Sequence, residues 1–187
     1  MKTFFLLSVV ALLPVILSAL IYLAERTKAI RKLPYAVRQL LIGVLFGGLA
    51  ILGTEFGIKT DGAIINARDA SPICAGLLFG APAGIIAGLI GGVERWFAVL
   101  WGAGQYTRLA CSISTVLAGV FAAVLRKFMF DNKKPKWYYC LATATITEVI
   151  HMLMIFLTNM TDARTAFSFV RTCSLPMIAV NSLAVML

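Results

Sequence analysis

NARDASPICAGLLFGAPAGIIAGLIGGVERWF, residues 66–97, decides how this chain is folded. The stretch is too apolar for a solvent loop, yet it carries an arginine near each end and is cut by Gly80-Ala81-Pro82. As one helix it would cross a membrane once; as a hairpin it would enter and return on the same side. Pro82 disfavours helical geometry at Ala81 and has no N–H to donate, which makes the tripeptide a natural break. Residues 70–80 then offer only about 16 Å of helix against a hydrocarbon core of about 30 Å, while residues 83–101 can nearly span it. Bare backbone at such a break costs several kcal/mol in lipid, so protein must bury it or it must border a watery cavity.

The rest of the chain makes the membrane setting plain. Of its 187 residues 60% are hydrophobic and 13% charged, whereas a soluble domain has roughly 45–50% and about 25%. Mean hydropathy is +0.92. Clear spans are expected near 3–23, 37–57, 105–126, 137–158 and 166–187, which with the broken segment 70–80 plus 83–101 predicts an all-α, polytopic transmembrane helix bundle. Residues 1–187 read as one domain with no room for a soluble catalytic head. The first run begins like a signal peptide behind Lys2, but it exceeds the usual ~7–15-residue apolar region and a basic cluster follows, so it reads as an uncleaved helix kinked at Pro14.

A net charge of +9 could suggest nucleic acid. The cations instead gather between apolar runs, at Arg26, Lys28, Arg31, Lys32 and Arg38 and again at Arg126, Lys127, Lys133, Lys134 and Lys136. That is the pattern of cytoplasmic loops in a membrane protein, and it argues against a nucleic-acid partner. With both loops inside, the N-terminus lies outside, the C-terminus is cytoplasmic, and everything between residues 58 and 104 begins and ends outside. A single crossing by residues 70–100 breaks that parity; a hairpin satisfies it. Cys74, Cys111, Cys140 and Cys173 all sit in apolar segments without metal-ligand spacing, so neither a disulfide framework nor a metal or other cofactor is expected.

The hairpin brings Arg68 and Arg95 towards one face of the membrane, where helix 105–126 starts with Arg108, Cys111 and Ser114 at three-residue spacing. Guanidiniums, a thiol and a hydroxyl, together with unpaired N–H groups at the start of a half-helix, suit a small carboxylate. The alternative is that both arginines snorkel to headgroups, with Asp69 and Glu94 as local partners. Gly76, Gly80, Gly84, Gly88 and Gly92 recur every four residues, the spacing that lets helices pack closely in membranes. Glu148 and His151 share a face of helix 137–158 and read as a hydrogen-bonded pair that pins helices or relays a change in the outer cavity, not as a metal site. Asn181 is expected to satisfy backbone freed by Pro176. No Walker, zincin or hydrolase motif is present, and no catalytic residue is expected.

These residues resemble the LytS/YhcK-type membrane receptor domain of bacterial sensor histidine kinases and diguanylate cyclases over most of residues 37–187. Residues 66–95 are similar to its Arg-led apolar stretch, glycine ladder and closing Arg; GAGQYTRLACSIST and LPMIAVNSLAVML are similar to its Gly-rich turn with Cys/Ser helix and its closing Pro…Asn helix. The resemblance implies a receptor in the bacterial inner membrane for a small carboxylate such as pyruvate, with Arg68, Arg95, Cys111 and Ser114 as the site, a homodimeric assembly, and an output domain beyond Leu187. Glu94, Arg108 and the long aromatic linker 96–106 depart from the pattern at the expected pocket. The substrate-binding membrane subunit of a vitamin-type importer also has broken helices and an outer pocket, and stays open as the alternative.

Overall fold

The computed structural model describes residues 2–27, 32–60, 63–102 and 104–186, so Lys28 and Arg31 of the first basic cluster and Leu187 lie outside the described residues. The apolar runs are helical: α1 (Lys2–Ala24), α2 (Tyr35–Glu55), α3 (Ala70–Cys74, widening into a π-helical turn over Ala75–Phe79), α4 (Ala81–Phe97, with a 3-10 turn to Leu100), α5 (Arg108–Val124, with a π-helical turn to Met129), α6 (Trp137–Thr158) and α7 (Ala163–Val185). Among the described residues five helices, α2 and α4–α7, are long and apolar enough to cross a membrane, and α1 adds the apolar segment Val9–Ala24. The chain is an all-α multi-pass bundle, as the hydropathy predicts. One element was not expected. Ile58–Thr60 (β1) and Ala63–Ile65 (β2) form a small antiparallel hairpin pairing Ile58 with Ile65, in keeping with their β-branched residues.

The broken segment is a hairpin, and it runs deeper than its helix length suggests. The break lies at Gly80 (φ 149°, ψ 157°), a backbone conformation open to glycine, where a Cβ would also stand 2.5 Å from Gln39 Oε1. Pro82 falls in the first turn of α4, where its missing N–H costs nothing. Arg68 packs its backbone on Gly53 of α2, and Gly80 lies on Gln39 of the same helix. Those α2 positions are fourteen residues apart, about 21 Å. Residues 66–69 already lie buried inside the bundle, so the descending arm is lengthened before α3 begins. The break therefore sits near the end of the bundle that carries the basic loops, where a cavity is lined by Tyr22, Glu25, Leu78, Phe79 and Lys134.

Protein groups take up the backbone exposed there. Gln39, only 1% exposed, donates from Nε2 to Phe79 O (3.0 Å) and accepts from Ala83 N–H (3.2 Å), which bridges the two sides of the break. Arg126, read from sequence as a loop cation, is buried and donates to Leu77 O.

The glycines of the ladder pack the hairpin against α5. A Cβ on Gly84 would stand 2.5 Å from Gly76 Cα, Gly88 rests on Thr115 O and Gly119 Cα, and Gly92 rests on Ser112 O. On the other side of α4, Ile86 and Ile90 fill the positions left by Gly43 and Gly47 of α2. Gly84→Ala forces backbone apart and is expected to destabilise the purified protein by about 1–3 kcal/mol. Gly48→Ala, facing open space, should leave stability unchanged or slightly raised; thermal unfolding of both variants in detergent checks the contrast.

Candidate functional site: a buried arginine cluster

β2 delivers the chain into the bundle at Asn66, whose side chain folds back on the backbone: Nδ2 donates to Ile64 O (2.8 Å) and Oδ1 accepts from Arg68 N–H (3.1 Å). This turn points Arg68 inward and sets Asp69 at the head of α3. Arg68 and Arg95 are each 0% exposed, so neither snorkels to the surface. Arg68 Nε donates to Thr115 Oγ1 (2.6 Å) and pairs with Asp69 Oδ1 (3.3 Å); Nη1 reaches Thr54 Oγ1 and Nη2 reaches Cys111 O, both at 3.4 Å. Thr115 in turn donates to Asp69 Oδ1 at 2.6 Å. Two charges taken out of water need such closure, because desolvation costs several kcal/mol per ion unless geometry and hydrogen bonds return it.

Arg95, in the last turn of α4, is held differently. Its Nη2 donates to Gly104 O (2.7 Å) and Thr107 Oγ1 (3.4 Å), while Nε and Nη1 have no hydrogen-bond partner among the described residues. A guanidinium is always charged and offers five donors, so two of its three nitrogens are buried unpaired. Cys111, in the first turn of α5, lies within electrostatic reach of both guanidiniums. His151 of α6 completes the group, with Nδ1 2.8 Å from Asp69 Oδ2 and Nε2 3.3 Å from Cys111 Sγ. Glu148 is buried beside it, one oxygen 3.8 Å from His151 Nδ1 and neither oxygen hydrogen-bonded. Asp69, Glu148 and His151 stand close enough to hold a cation, but Asp69 is already committed to Arg68 and Thr115.

Arg68, Arg95, Cys111 and His151 thus come together, and several expectations change. Ser114 bonds none of them: it lines an apolar groove of about 230 Å³ with Leu117, Val120, Phe121, Val124, Thr147 and Ile150. Arg108 is outside the cluster, stacked 4.0 Å over the Trp96 ring and donating to Trp96 O (2.8 Å). At 3.6 residues per turn, steps of three drift about 60° each, so with Cys111 inward, Arg108 and Ser114 fall on either side. Thr115, four residues on from Cys111, faces the cluster instead. Glu94 forms no ion pair with Arg95 within 4 Å, although it lies within electrostatic reach of both guanidiniums. Nor is the head of α3 a free donor set, because Ala70 N–H goes to Asn181 Oδ1 (2.9 Å). Asn181 also donates to Asn66 O and Met177 O (both 3.1 Å), so it clamps the hairpin entrance and does not serve the carbonyl that Pro176 frees. Asp69 is the local partner of Arg68 that the sequence offers, though inside the bundle and not at the headgroups; Thr115 escaped a reading based on three-residue spacing, although its i, i+4 relation to Cys111 carried that signal.

Known proteins share this sequence pattern. The family model 5TM-5TMR_LYT, described as "5TMR of 5TMR-LYT", matches residues 21–187. The chain belongs to the 5TMR-LYT family. Curated proteins similar to it include the sensor histidine kinase BtsS of Escherichia coli (27% identical over 147 residues, 77% of this chain and 25% of BtsS). The sensor histidine kinase YpdA of the same organism is 25% identical over 169 residues, 90% of this chain and 29% of YpdA. The sensor protein LytS of Bacillus cereus is 30% identical over 145 residues, 75% of this chain and 23% of LytS. The 5TMR-LYT chain spans about a quarter of the length of these relatives, and no solved structure matches it. It is a multi-pass membrane helix bundle that resembles about a quarter of each of these sensor proteins.

The cluster predicts strong coupling between its charges. Asp69→Ala leaves the Arg68 guanidinium buried without its counter-ion and is expected to cost about 3–5 kcal/mol. The double variant Arg68→Ala/Asp69→Ala should cost at least ~0.5 kcal/mol less than the sum of the single changes. A double-mutant cycle on unfolding in detergent measures both.

Proposed function

We propose that this domain is the input module of a signalling receptor, binds a small carboxylate at Arg95 and Arg68, and passes the occupancy to a cytoplasmic kinase or cyclase domain in a homodimer. The observation that carries the reading is Arg95: a fully buried cation with two nitrogens lacking partners. Arg68 is matched by Asp69, whereas Arg95 has only the Glu94 carboxylate within electrostatic reach and forms no ion pair within 4 Å among the described residues. A ligand carboxylate would supply both the oxygens and the charge. The sensor names of the relatives support a signalling role over import, and the basic loops support a site facing the outer side.

Two measurements test this. Binding of pyruvate to purified protein by calorimetry should weaken at least tenfold in Arg95→Gln, since hydrogen bonds to charged groups contribute at least ~1.5 kcal/mol; unchanged affinity removes Arg95 from the site. For orientation, a cysteine introduced at Gln105 should react with an impermeant thiol reagent added to intact cells, and one at Asn132 should stay protected. The reverse pattern puts the cluster on the cytoplasmic side.

A further inference from the structure

The sequence contains one histidine and four cysteines, and the bundle sets that histidine against one of them. His151 Nε2 is 3.3 Å from Cys111 Sγ, and its other ring nitrogen is 2.8 Å from Asp69 Oδ2. Cys74, by contrast, packs in the apolar core and reaches a carbonyl, Ala184 O at 3.7 Å. A thiol whose proton can pass to an imidazole, itself oriented by a buried carboxylate, is the arrangement of an activated nucleophile. Asp69 is held in turn by Arg68 and Thr115, so the imidazole orientation is braced from the hairpin and α5. Packing alone does not require this: a buried structural cysteine makes do with a carbonyl or apolar neighbours. Arg95, with its unpaired nitrogens, lies within electrostatic reach of the same sulfur.

We propose that Cys111 captures a 2-oxo carboxylate as a reversible thiohemiketal, with His151 moving the proton and Asp69 holding the ring. The inference rests on the carboxylate reading of the site and names its ligand class: an anion with an electrophilic carbonyl next to the carboxylate. In the capture step His151 Nε2 takes the thiol proton and the sulfur attacks the ketone carbon. The S–C bond forms as the C=O π bond breaks, and its electron pair goes to oxygen. The same proton then passes from His151 to that oxygen. Thiol plus ketone equals adduct, with no oxidant, reductant or leaving group, and the reverse steps release the ligand intact. An adduct pulls the sulfur away from His151, which changes the contacts of α5 with α6 when the site is filled. Carboxylates without the ketone can pair with the arginines but cannot make this change.

The test uses the purified full chain in detergent with carbon-13 pyruvate labelled at the ketone carbon, and propionate as the analogue without a ketone. Bound pyruvate should move from the ketone to the tetrahedral region of the carbon-13 spectrum in the native protein. In Cys111→Ser the shifted signal should vanish, the thermal unfolding midpoint should hold, and pyruvate and propionate should bind alike. The native protein should favour pyruvate over propionate by about tenfold or more. His151→Gln should slow capture by at least about a hundredfold, the lower end for a positioned general base. Pyruvate bound with its ketone signal intact, or native affinity for both ligands in Cys111→Ser, overturns covalent capture while leaving the carboxylate site standing. Absence of binding by either ligand overturns both.

Discussion

A helix that stops inside a bilayer exposes carbonyls and amides that lipid cannot satisfy, and the arrangement of this bundle follows from meeting that demand. The hairpin of residues 66–97 has three such places. At its entrance Asn181 of α7 takes Ala70 N–H and Asn66 O; at the end of the π turn Arg126 takes Leu77 O; at the break Gln39 of α2 takes Phe79 O and Ala83 N–H. Each clamp comes from a different element. The hairpin is therefore the part to which the spanning helices are fitted, and the glycines let α4 and α5 come close enough for the clamps to close.

The same geometry concentrates charge at the other end of the descending arm. The Arg68–Asp69 pair is bonded by Thr54 of α2, by Thr115 and the Cys111 carbonyl of α5 and by His151 of α6, and Asn66 and Ala70 on either side of it are tied to α7. Any group that changes the balance of this pair acts on four helices at once. A ligand can use that connection only through a difference in affinity between two packings of those helices. A cluster bonded to four helices gives such a difference many places to arise.

Much of this was legible in the residues. Hydropathy located the spans because burial in lipid is a property of composition over about twenty residues, and charge parity required the segment 58–104 to return to its side of entry. The same parity places Arg68, Arg95 and Cys111 towards one region. The finer assignments failed where they depended on rotation about a helix axis. Ser114 and Thr115 are adjacent in sequence, and the hydroxyl that meets Arg68 belongs to Thr115. Asp69 and Glu94 each flank an arginine, yet only Asp69 forms a pair. Arg126 reads from sequence as a loop cation and Gln39 carries no signal, because their partners are backbone atoms some forty to fifty positions away.

The amino-acid sequence by itself determined that this is a multi-pass helical protein with a hairpin broken at Gly80 and glycine faces for close packing. These follow from local quantities: apolar length, the missing donor of Pro82 and the missing Cβ of glycine. Only the tertiary structure decided that the break reaches the basic-loop end, that Arg95 keeps two nitrogens unpaired, and that His151 stands between Asp69 and Cys111. Those outcomes depend on the depth and rotation of one helix against another. Such variables are settled when all the buried polar groups find partners together, and no single segment encodes them.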